Sequence, residues 1–240
     1  MSAFENRVAL VTGANRGVGK AFVESLLERG VKKVYAAARS IDSLKHFTDP
    51  RVVPLALDIT DQSQIDAVKK QTGDVSLLLN NAGVNAFGSL LTSDLNGIER
   101  DMTTNYYGTV NVTRAIYSNI LNNGGGNIIN IISICGLAGM PGLGGYSASK
   151  AALFSATQSI RGELKPQGIH VHSVYPGPID TDMNKGAEID MAKPEDVVKT
   201  TLDAVENGEE DIFPDAFALN VKKLWQESAK TLEVDFYQYQ

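Results

Sequence analysis

The chain has 240 residues, of which 43% are hydrophobic and 21% charged, with a formal net charge of -6 and a single cysteine, Cys135. This length suits one large α/β domain with a substantial core, and an acidic balance without a basic run argues against nucleic acid as a partner. One cysteine excludes an intramolecular disulfide, and no segment resembles a signal peptide or an apolar membrane span of ~20 residues, so we expect a cytoplasmic protein without a membrane partner.

The N-terminal segment is typical of a nucleotide-binding opening. Residues 7–12 (RVALVT) are a short apolar run that predicts a buried strand, and a helix is predicted over 20–29. Gly13, Gly17 and Gly19 lie between the two elements. Glycines allow the backbone to approach a pyrophosphate, and the N-terminus of a helix attracts its negative charge, so this turn is a candidate phosphate site.

The second strand, predicted over 33–38 (KVYAAA), is followed directly by Arg39. At this position of a dinucleotide-binding fold an acidic residue binds the ribose 2′-hydroxyl, whereas an arginine accommodates a 2′-phosphate. Arg16, inside the glycine-rich turn, adds a second cation. The two arginines favour NADP(H) over NAD(H); the alternative is that either one is an ordinary solvated charge.

Two more predicted strands end in candidates for cofactor contact. Residues 52–58 (VVPLALD) end at Asp58, and residues 76–80 (SLLLN) run into the small residues of 81–83 (NAG). Between them, Asp61 with a glutamine three residues later has the spacing of a capping box and predicts the start of a helix. Ligands gather at the carboxyl ends of parallel strands, so both strand ends point to one site.

A long helix is predicted over 95–122, with Asp94 as its cap. Apolar residues at a three-four spacing define its inward face, and this stripe includes the polar Asn105. A buried asparagine needs hydrogen-bond partners, so Asn105 is either a structural hydrogen-bonding residue or part of a site. The spacing alone favours the structural role.

The rest of the chain continues the alternation of strands and helices. The remaining predicted elements are strands over 127–132, 170–175 and 211–214, and helices over 146–167 and 194–207. The pattern predicts one Rossmann-type, doubly wound α/β domain over residues 1–240, with a mostly seven-stranded parallel sheet and helices on both faces. Residues 216–240 are predicted to form a helical, aromatic tail. His170 and His172 alternate on a strand without further metal ligands and are interpreted as structural, so no metal site is expected.

Tyr146 and Lys150 are four residues apart on a predicted helix, which places both side chains on one face. A free tyrosine hydroxyl has a pKa of about 10 and is a poor acid or base near neutrality. A neighbouring ammonium favours the phenolate and lowers that pKa. The pair is therefore a candidate proton-transfer unit.

These segments together resemble the short-chain dehydrogenase/reductase family, in its single-domain, carbonyl reductase-like branch. The resemblance covers residues 7–214. The matching segments, in chain order, are the TGxxxGxG-like turn 12–19, the NNAG segment 80–83, Asn105, Ser133 thirteen residues before Tyr146, the YxxxK pattern of Tyr146 and Lys150, and the PGxxxT-like segment 176–181.

The resemblance implies roles for four catalytic residues. Tyr146 would donate a proton to the substrate oxygen during reduction or remove one during oxidation. Lys150 would lower the pKa of Tyr146 and hold the nicotinamide ribose, and Ser133 would hydrogen-bond the carbonyl. Asn105 would hold a water that links Lys150 to solvent.

The resemblance also implies a cofactor site along the strand ends. The glycine-rich turn would contact the pyrophosphate, Arg39 the 2′-phosphate, Asp58 and Ile59 the adenine, and the last segment the carboxamide end. The residues expected to bind cofactor are Gly13, Asn15, Arg16, Gly17, Val18, Arg39, Asp58, Ile59, Asn81, Ala82, Gly83, Tyr146, Lys150, Pro176, Gly177, Ile179 and Thr181.

The expected substrate pocket is mostly apolar, which favours an apolar or aryl-substituted carbonyl substrate. Its residues are Val84, Asn85, Cys135, Leu137, Met140, Leu143, Pro178 and Met183. Cys135 is interpreted as a packing residue rather than a reactive thiol. The segment 182–193 is shorter than the helical lid of many relatives, which suggests an open pocket.

The chain also departs from some family members at its C-terminal end. The chain lacks the glycine-rich finish of acyl-carrier-protein ketoreductases, which weakens an assignment to fatty-acid synthesis. The aromatic tail could cover a neighbour's site, seal an oligomer interface or pack on its own domain, and we favour packing or interface over catalysis. A homodimer or homotetramer is expected, formed through the helices that carry Asn105 and Tyr146.

Three functions remain open. The leading hypothesis is an NADPH-dependent oxidoreductase that reduces ketones or aldehydes to alcohols. One alternative is an oxidative alcohol or hydroxysteroid-type dehydrogenase of the same family. The other is a non-catalytic protein that binds NADP(H) and signals through a partner, although such a sensor has no need of Ser133, Tyr146 and Lys150 together.

Overall fold

The computed structural model describes residues 3–239, and within them seven strands pair into a parallel sheet. The strands are β1 (Val8–Thr12), β2 (Lys33–Ala38), β3 (Val52–Ala56), β4 (Leu77–Asn80), β5 (Gly126–Ile131), β6 (Ile169–Val174) and β7 (Asp211–Ile212). Their spatial order is β3-β2-β1-β4-β5-β6-β7, and each neighbouring pair is parallel. The predicted doubly wound fold is confirmed, and the strand order reverses between β1 and β4, where such sheets form their crevice.

Helices cover both faces of this sheet. They are α1 (Gly17–Glu28), α2 (Gln62–Gln71), α3 (Leu95–Asp101), α4 (Thr109–Asn122), α5 (Gly144–Leu164), α6 (Pro194–Glu206), α7 (Ala216–Glu227) and α8 (Ala229–Phe236). In the described part of the chain, none of the helices combines the length and apolar character needed to span a membrane.

Strand β1 shows why its sequence is a continuous apolar run. Ala9 and Val11 pack into the cluster that contains side chains of α1 and α6. Val8 and Leu10 face the other way and pack into the cluster formed with α2, α4 and α5. Because both faces of the strand are covered, each of its residues is buried, as expected for a parallel sheet.

The helix predicted over 95–122 is helical throughout but is not uniformly α-helical. A π-helical segment, Met102–Gly108, separates α3 from α4, and Asn105 lies inside it. Gly108 passes so close to Ile59 that an added Cβ would lie 2.9 Å from its side chain and 3.0 Å from its carbonyl oxygen. The predicted long helix is therefore confirmed, and the π turn is a feature that a three-four spacing does not reveal.

The predicted cap at Asp61 is confirmed, and it also fixes the end of the third strand. The Asp61 carboxylate accepts from the N–H groups of Ser63 (2.8 Å) and Gln64 (3.2 Å). The Gln64 side-chain oxygen accepts from the N–H of Asp58 at 2.8 Å instead of closing a capping box. The cap of α2 thereby positions Asp58 at the strand end.

The C-terminal tail packs on its own chain. Leu232 and Phe236 of α8 are fully buried in a third cluster with Tyr175 and Phe213, beyond the ends of β6 and β7. The carboxylate of Asp215 caps α7 through the N–H of Ala218 (2.8 Å) and also accepts from the N–H of Gly177 (2.9 Å). The tail is thus tied to the segment that follows β6.

Candidate active site

One cleft of about 1730 Å³ collects the predicted site residues at the carboxyl ends of the strands. Each of β1 to β6 sends the segment that follows it into the wall of this cleft, as a parallel sheet requires. All the residues expected to bind cofactor line it. The structure thus brings together positions that are up to 168 residues apart in the chain, from Gly13 to Thr181.

The glycine-rich turn is held in place by the segment after β4. The hydroxyl of Thr12 accepts from the N–H groups of Asn81 (3.0 Å) and Ala82 (3.1 Å). The Asn81 carboxamide donates to the carbonyl oxygens of Thr12 (3.0 Å) and Gly13 (3.1 Å). Asn81 thus lines the cleft while its carboxamide is engaged in hydrogen bonds that shape the turn.

The residues of this turn fit a dinucleotide pyrophosphate. Gly13 and Gly17 have φ values of +64° and +50°, a region that favours glycine. A Cβ on Gly19 would lie 2.1 Å from the carbonyl oxygen of Gly13, so turn and helix touch without room for a side chain. Helix α1 begins at Gly17 with no side-chain cap from its N-cap residue and no acidic residue in its first turn. Its first N–H groups can therefore bind an anion from the cleft.

The two arginines of the cleft wall, Arg16 and Arg39, differ in their surroundings. Arg39 is exposed, and no ion pair formed by residues 3–239 includes it. Arg16 forms an ion pair with Asp182 at 2.7 Å, and both side chains are about two-thirds exposed (67% and 64%). Such exposed pairs contribute little to stability, so Arg16 can exchange Asp182 for a phosphate at low cost.

Ser133, Tyr146 and Lys150 converge on one wall of the cleft. Tyr146 and Lys150 lie in the first two turns of α5, and Ser133 follows β5. The Lys150 ammonium is buried and donates to the carbonyl oxygen of Ile131 at 2.9 Å. It lies 5.6 Å from the centre of the Tyr146 ring.

Burial has the largest effect on the pKa values of Tyr146 and Lys150. Burial raises the pKa of Tyr146 above its usual value, nearby Cys135 and Asp101 raise it further, and a hydrogen bond with Ser133 opposes them. Burial lowers the pKa of Lys150 to about 8, against the raising effect of Asp101 and Cys135. We expected Lys150 to lower the pKa of Tyr146; burial instead raises it, so the hydroxyl keeps its proton near neutral pH.

The backbone of Ser133 is held in an uncommon conformation. Its φ of 147° with ψ of 157° falls where glycine is favoured, and such residues cost about 1–3 kcal/mol. The Ser133 hydroxyl accepts from the N–H of Cys135 (3.2 Å), and its carbonyl accepts from the N–H of Gly136 (3.0 Å). These bonds hold the side chain at the cleft wall at the expense of local strain.

Asn105 does not line the cleft, because its carboxamide is used inside the protein. It accepts from the N–H of Val84 and donates to the carbonyl of the same residue, both at 2.9 Å. It also donates to the hydroxyl of Ser149 at 2.9 Å, and Ser149 donates to the carbonyl of Tyr146 at 2.7 Å. The side chain therefore joins the π-helical segment to the catalytic turn of α5, and the water relay remains a prediction.

Most of the expected substrate pocket lines the cleft, namely Val84, Asn85, Cys135, Met140, Leu143, Pro178 and Met183. Leu137 does not: it follows the short turn Ile134–Gly136 and packs against the third apolar cluster. Burial raises the pKa of the Cys135 thiol to about 11, so the thiol is neutral at physiological pH.

Sequence reasoning missed two parts of the site. Phe87, Phe217 and Tyr239 also line the cleft, and the last two come from the tail. Asp101 is a fully buried residue whose charge acts on Tyr146 and Lys150, two of the predicted catalytic residues. Its place on the inward stripe, four residues before Asn105, was the one signal available in the sequence.

One family model and several solved structures are similar to this chain. The family model described as short chain dehydrogenase matches residues 7–192. A solved short chain dehydrogenase from Burkholderia cenocepacia, in complex with NADP, is 37% identical, with a TM-score of 0.94 over 98% of this chain and 99% of that one. A second, from Burkholderia phymatum in complex with NAD, is 25% identical, with a TM-score of 0.83 over 95% of each chain.

A curated relative adds an activity to the comparison. The 3-oxoacyl-(acyl-carrier-protein) reductase of Vibrio cholerae is 34% identical over 188 residues, which cover 75% of this chain and 77% of that protein. The family match spans more than half of the chain, and the cleft brings together residues of every segment on which the resemblance rested except Asn105. This chain belongs to the short-chain dehydrogenase/reductase family of oxidoreductases.

Proposed function

We propose that this protein reduces ketones and aldehydes to alcohols with NADPH, using Tyr146 as the proton donor. The observation that carries the proposal is the position of Tyr146: it lies in the wall of the cleft with Ser133, and the Lys150 ammonium is 5.6 Å from the centre of its ring. Its hydroxyl is protonated at neutral pH, as a tyrosine's ordinarily is. A reduction needs a group in that state next to the substrate oxygen. The activity of the Vibrio cholerae relative, a reductase, supports the same direction.

Ser133, Tyr146 and Lys150 each have one role in the proposed reduction. When bound, NADPH supplies a hydride to the carbonyl carbon. The Ser133 hydroxyl hydrogen-bonds the carbonyl oxygen, and Tyr146 gives its proton to that oxygen as negative charge develops there. The ammonium of Lys150 then stabilises the phenolate that Tyr146 becomes.

The two arginines of the cleft wall support NADPH rather than NADH as the cofactor. Arg39 is exposed at the end of β2 and lines the cleft, where an arginine suits a 2′-phosphate. Arg16 lies close by in the same wall, held only by an exposed ion pair. The NADP bound to the Burkholderia cenocepacia protein agrees with this choice, although the Burkholderia phymatum protein carries NAD.

The substrate end supports an apolar or aryl-substituted carbonyl. The segment after Thr181 forms one short turn, Asp182–Asn184, and no longer helix before α6, so the described chain leaves this side of the cleft open. Exposed apolar side chains surround the opening: Phe87, Met183, Ile189 and Tyr239. Apolar pockets with few polar groups select substrates chiefly by shape and apolar area.

The proposal is tested by following the consumption of NADPH, and separately NADH, with aldehydes, aryl ketones, ketoesters and quinones. We expect turnover with NADPH, highest kcat/KM for aryl ketones, and little turnover with NADH. The same assay tests the pocket through a matched pair of variants. Tyr239 lines the cleft and packs on Phe217 with ring centres 5.6 Å apart, whereas Tyr237 bonds Glu233 and does not line it.

For Tyr239→Ala we expect KM for aryl ketones to rise about tenfold, since the variant loses aromatic contact area worth roughly 1–2 kcal/mol. Tyr237→Ala should leave KM unchanged. Equal effects of the two substitutions would show that the tail does not contact substrate, and turnover with NADH alone would overturn the cofactor assignment.

We also propose a cytoplasmic location and a homodimer or homotetramer. The lone cysteine is buried and unpaired, which suits a reducing compartment. On α5 the small residues Ala151, Ser155 and Ser159 are exposed on one side, which permits another helix to approach closely.

A further inference from the structure

The carboxylate of Asp101 is buried beside the catalytic residues, and the mechanism proposed above does not use it. Asp101 is the last residue of α3 and is 0% exposed. Both of its oxygens accept from a single donor, the N–H of Ala86, at 3.0 and 3.1 Å. Within residues 3–239 no ion pair includes it. A buried carboxylate with one neutral donor costs folding free energy, so its presence needs a compensating role.

One consequence of its position is mechanical. Asp101 and Asn105 are four residues apart and bind neighbouring residues of one segment. Asp101 accepts from the N–H of Ala86, and the Asn105 side chain bonds both the N–H and the carbonyl oxygen of Val84. Val84 and Asn85 form part of the cleft wall. The position of that wall therefore depends on the carboxylate of Asp101.

The other consequence is electrostatic. A Cβ added to Gly83 would lie 3.1 Å from Asn105 Oδ1 and 3.7 Å from Lys150 Nζ, so the π-helical segment and Lys150 flank the same residue. The titratable groups that act on Lys150 are Asp101 and Cys135, and Tyr146 adjoins it on its own helix.

Of these groups, Asp101 is the only carboxyl group, the type that ionises at the lowest pH. Burial raises the pKa of Cys135 to about 11 and the pKa of Tyr146 above its usual value, so both are neutral. The pKa of Asp101 is raised above its ordinary value by burial, and the Ala86 N–H and the positive charges of Arg100 and Lys150 offset part of that rise.

We propose that Asp101 is a positioning residue that acts through two neighbours: it anchors Ala86 in the cleft wall, and its carboxylate is the counter-charge that keeps Lys150 an ammonium. The proposal rests on the proposed function only for its effect on rate. Lys150 is charged below its pKa and neutral above it, so a nearby negative charge extends the charged form to higher pH. Removing that charge moves the loss of the ammonium to lower pH.

The test compares Asp101→Asn with Asp94→Asn. Both variants remove one carboxylate from α3, and asparagine can still accept from the N–H of Ala86 or cap the helix. Asp94 is an exposed cap residue that bonds the N–H of Asn96 and does not line the cleft. The Lys150 ammonium is titrated by nitrogen NMR in the cofactor-free protein, with its resonance assigned by its loss in Lys150→Arg. The alkaline limb of kcat/KM is measured in parallel.

We expect Asp101→Asn to lower the titration midpoint of Lys150 by about one pH unit and to shift the alkaline limb in the same direction, while Asp94→Asn changes neither. An unchanged Lys150 midpoint in Asp101→Asn would overturn the proposal, and this readout is independent of whether the protein is a reductase. Should Asp101→Asn fail to fold, carbon NMR of the wild-type carboxylates decides: a neutral Asp101 between about pH 6 and 9 would equally overturn it.

Discussion

Tyr146→Phe is expected to lower kcat for ketone reduction by about 10²–10⁴-fold while changing NADPH affinity much less, because it removes the proposed proton donor and its hydrogen bond with Ser133 but keeps the ring. The aromatic ring is kept, so packing in the cleft wall is preserved. The ammonium of Lys150 keeps its bond to Ile131. Single-turnover rates and fluorescence titration with NADPH measure the two quantities separately.

The matched control for this loss is Tyr107→Phe, which removes a hydroxyl from an exposed tyrosine that does not line the cleft. It should keep the wild-type rate. A Tyr146→Phe variant that retained more than roughly a tenth of kcat would be incompatible with the roughly 10²-fold minimum of general acid catalysis and would remove Tyr146 from the mechanism.

Arg39→Asp is expected to lower the ratio of kcat/KM for NADPH to that for NADH by about 10²-fold or more. The substitution exchanges a charge-assisted bond to the 2′-phosphate for repulsion, and each such bond is worth about 1.5–3 kcal/mol. The new carboxylate can accept from the 2′-hydroxyl of NADH instead. Steady-state kinetics with both cofactors at a fixed ketone concentration give the ratio.

Lys32→Asp is the matched control, since it makes the same charge change just before the opposite end of β2, away from the cleft. It should leave the cofactor ratio within about twofold of wild type, because exposed charges at that distance are screened. A ratio unaltered by Arg39→Asp would mean that Arg39 does not read the phosphate, and Arg16 would become the residue to change.

Much of the fold was predictable because its determinants are local in sequence. The strands of this sheet are covered on both faces, so they appear as unbroken apolar runs such as RVALVT. Gly13 and Gly17 have positive φ, and Asp61 and Asp94 cap their helices through bonds to nearby N–H groups. At each of these positions, the conformation of the backbone within a few residues determines which residue type fits.

The features that escaped prediction depend on contacts between distant segments. The π turn at Met102–Gly108 packs against Ile59 and hydrogen-bonds Val84, and the spacing of apolar residues does not record such contacts. Tyr239 reaches the cleft because α7 and α8 fold back over the ends of β6 and β7. The balance of burial against charge at Tyr146 likewise requires the surrounding structure.

The proposed reduction is tested most directly by following deuterium from NADPH labelled at C4 of the nicotinamide into the alcohol formed from an aryl ketone. The two epimers of the labelled cofactor are supplied in separate reactions, and the alcohol is analysed by mass spectrometry. We predict one deuterium at the carbinol carbon from one epimer and none from the other, since a fixed cleft presents one face of the ring. An alcohol that carries no deuterium from either epimer, or no alcohol from a protein that demonstrably binds NADPH, would contradict the proposed reduction and favour a protein that binds the cofactor without using it.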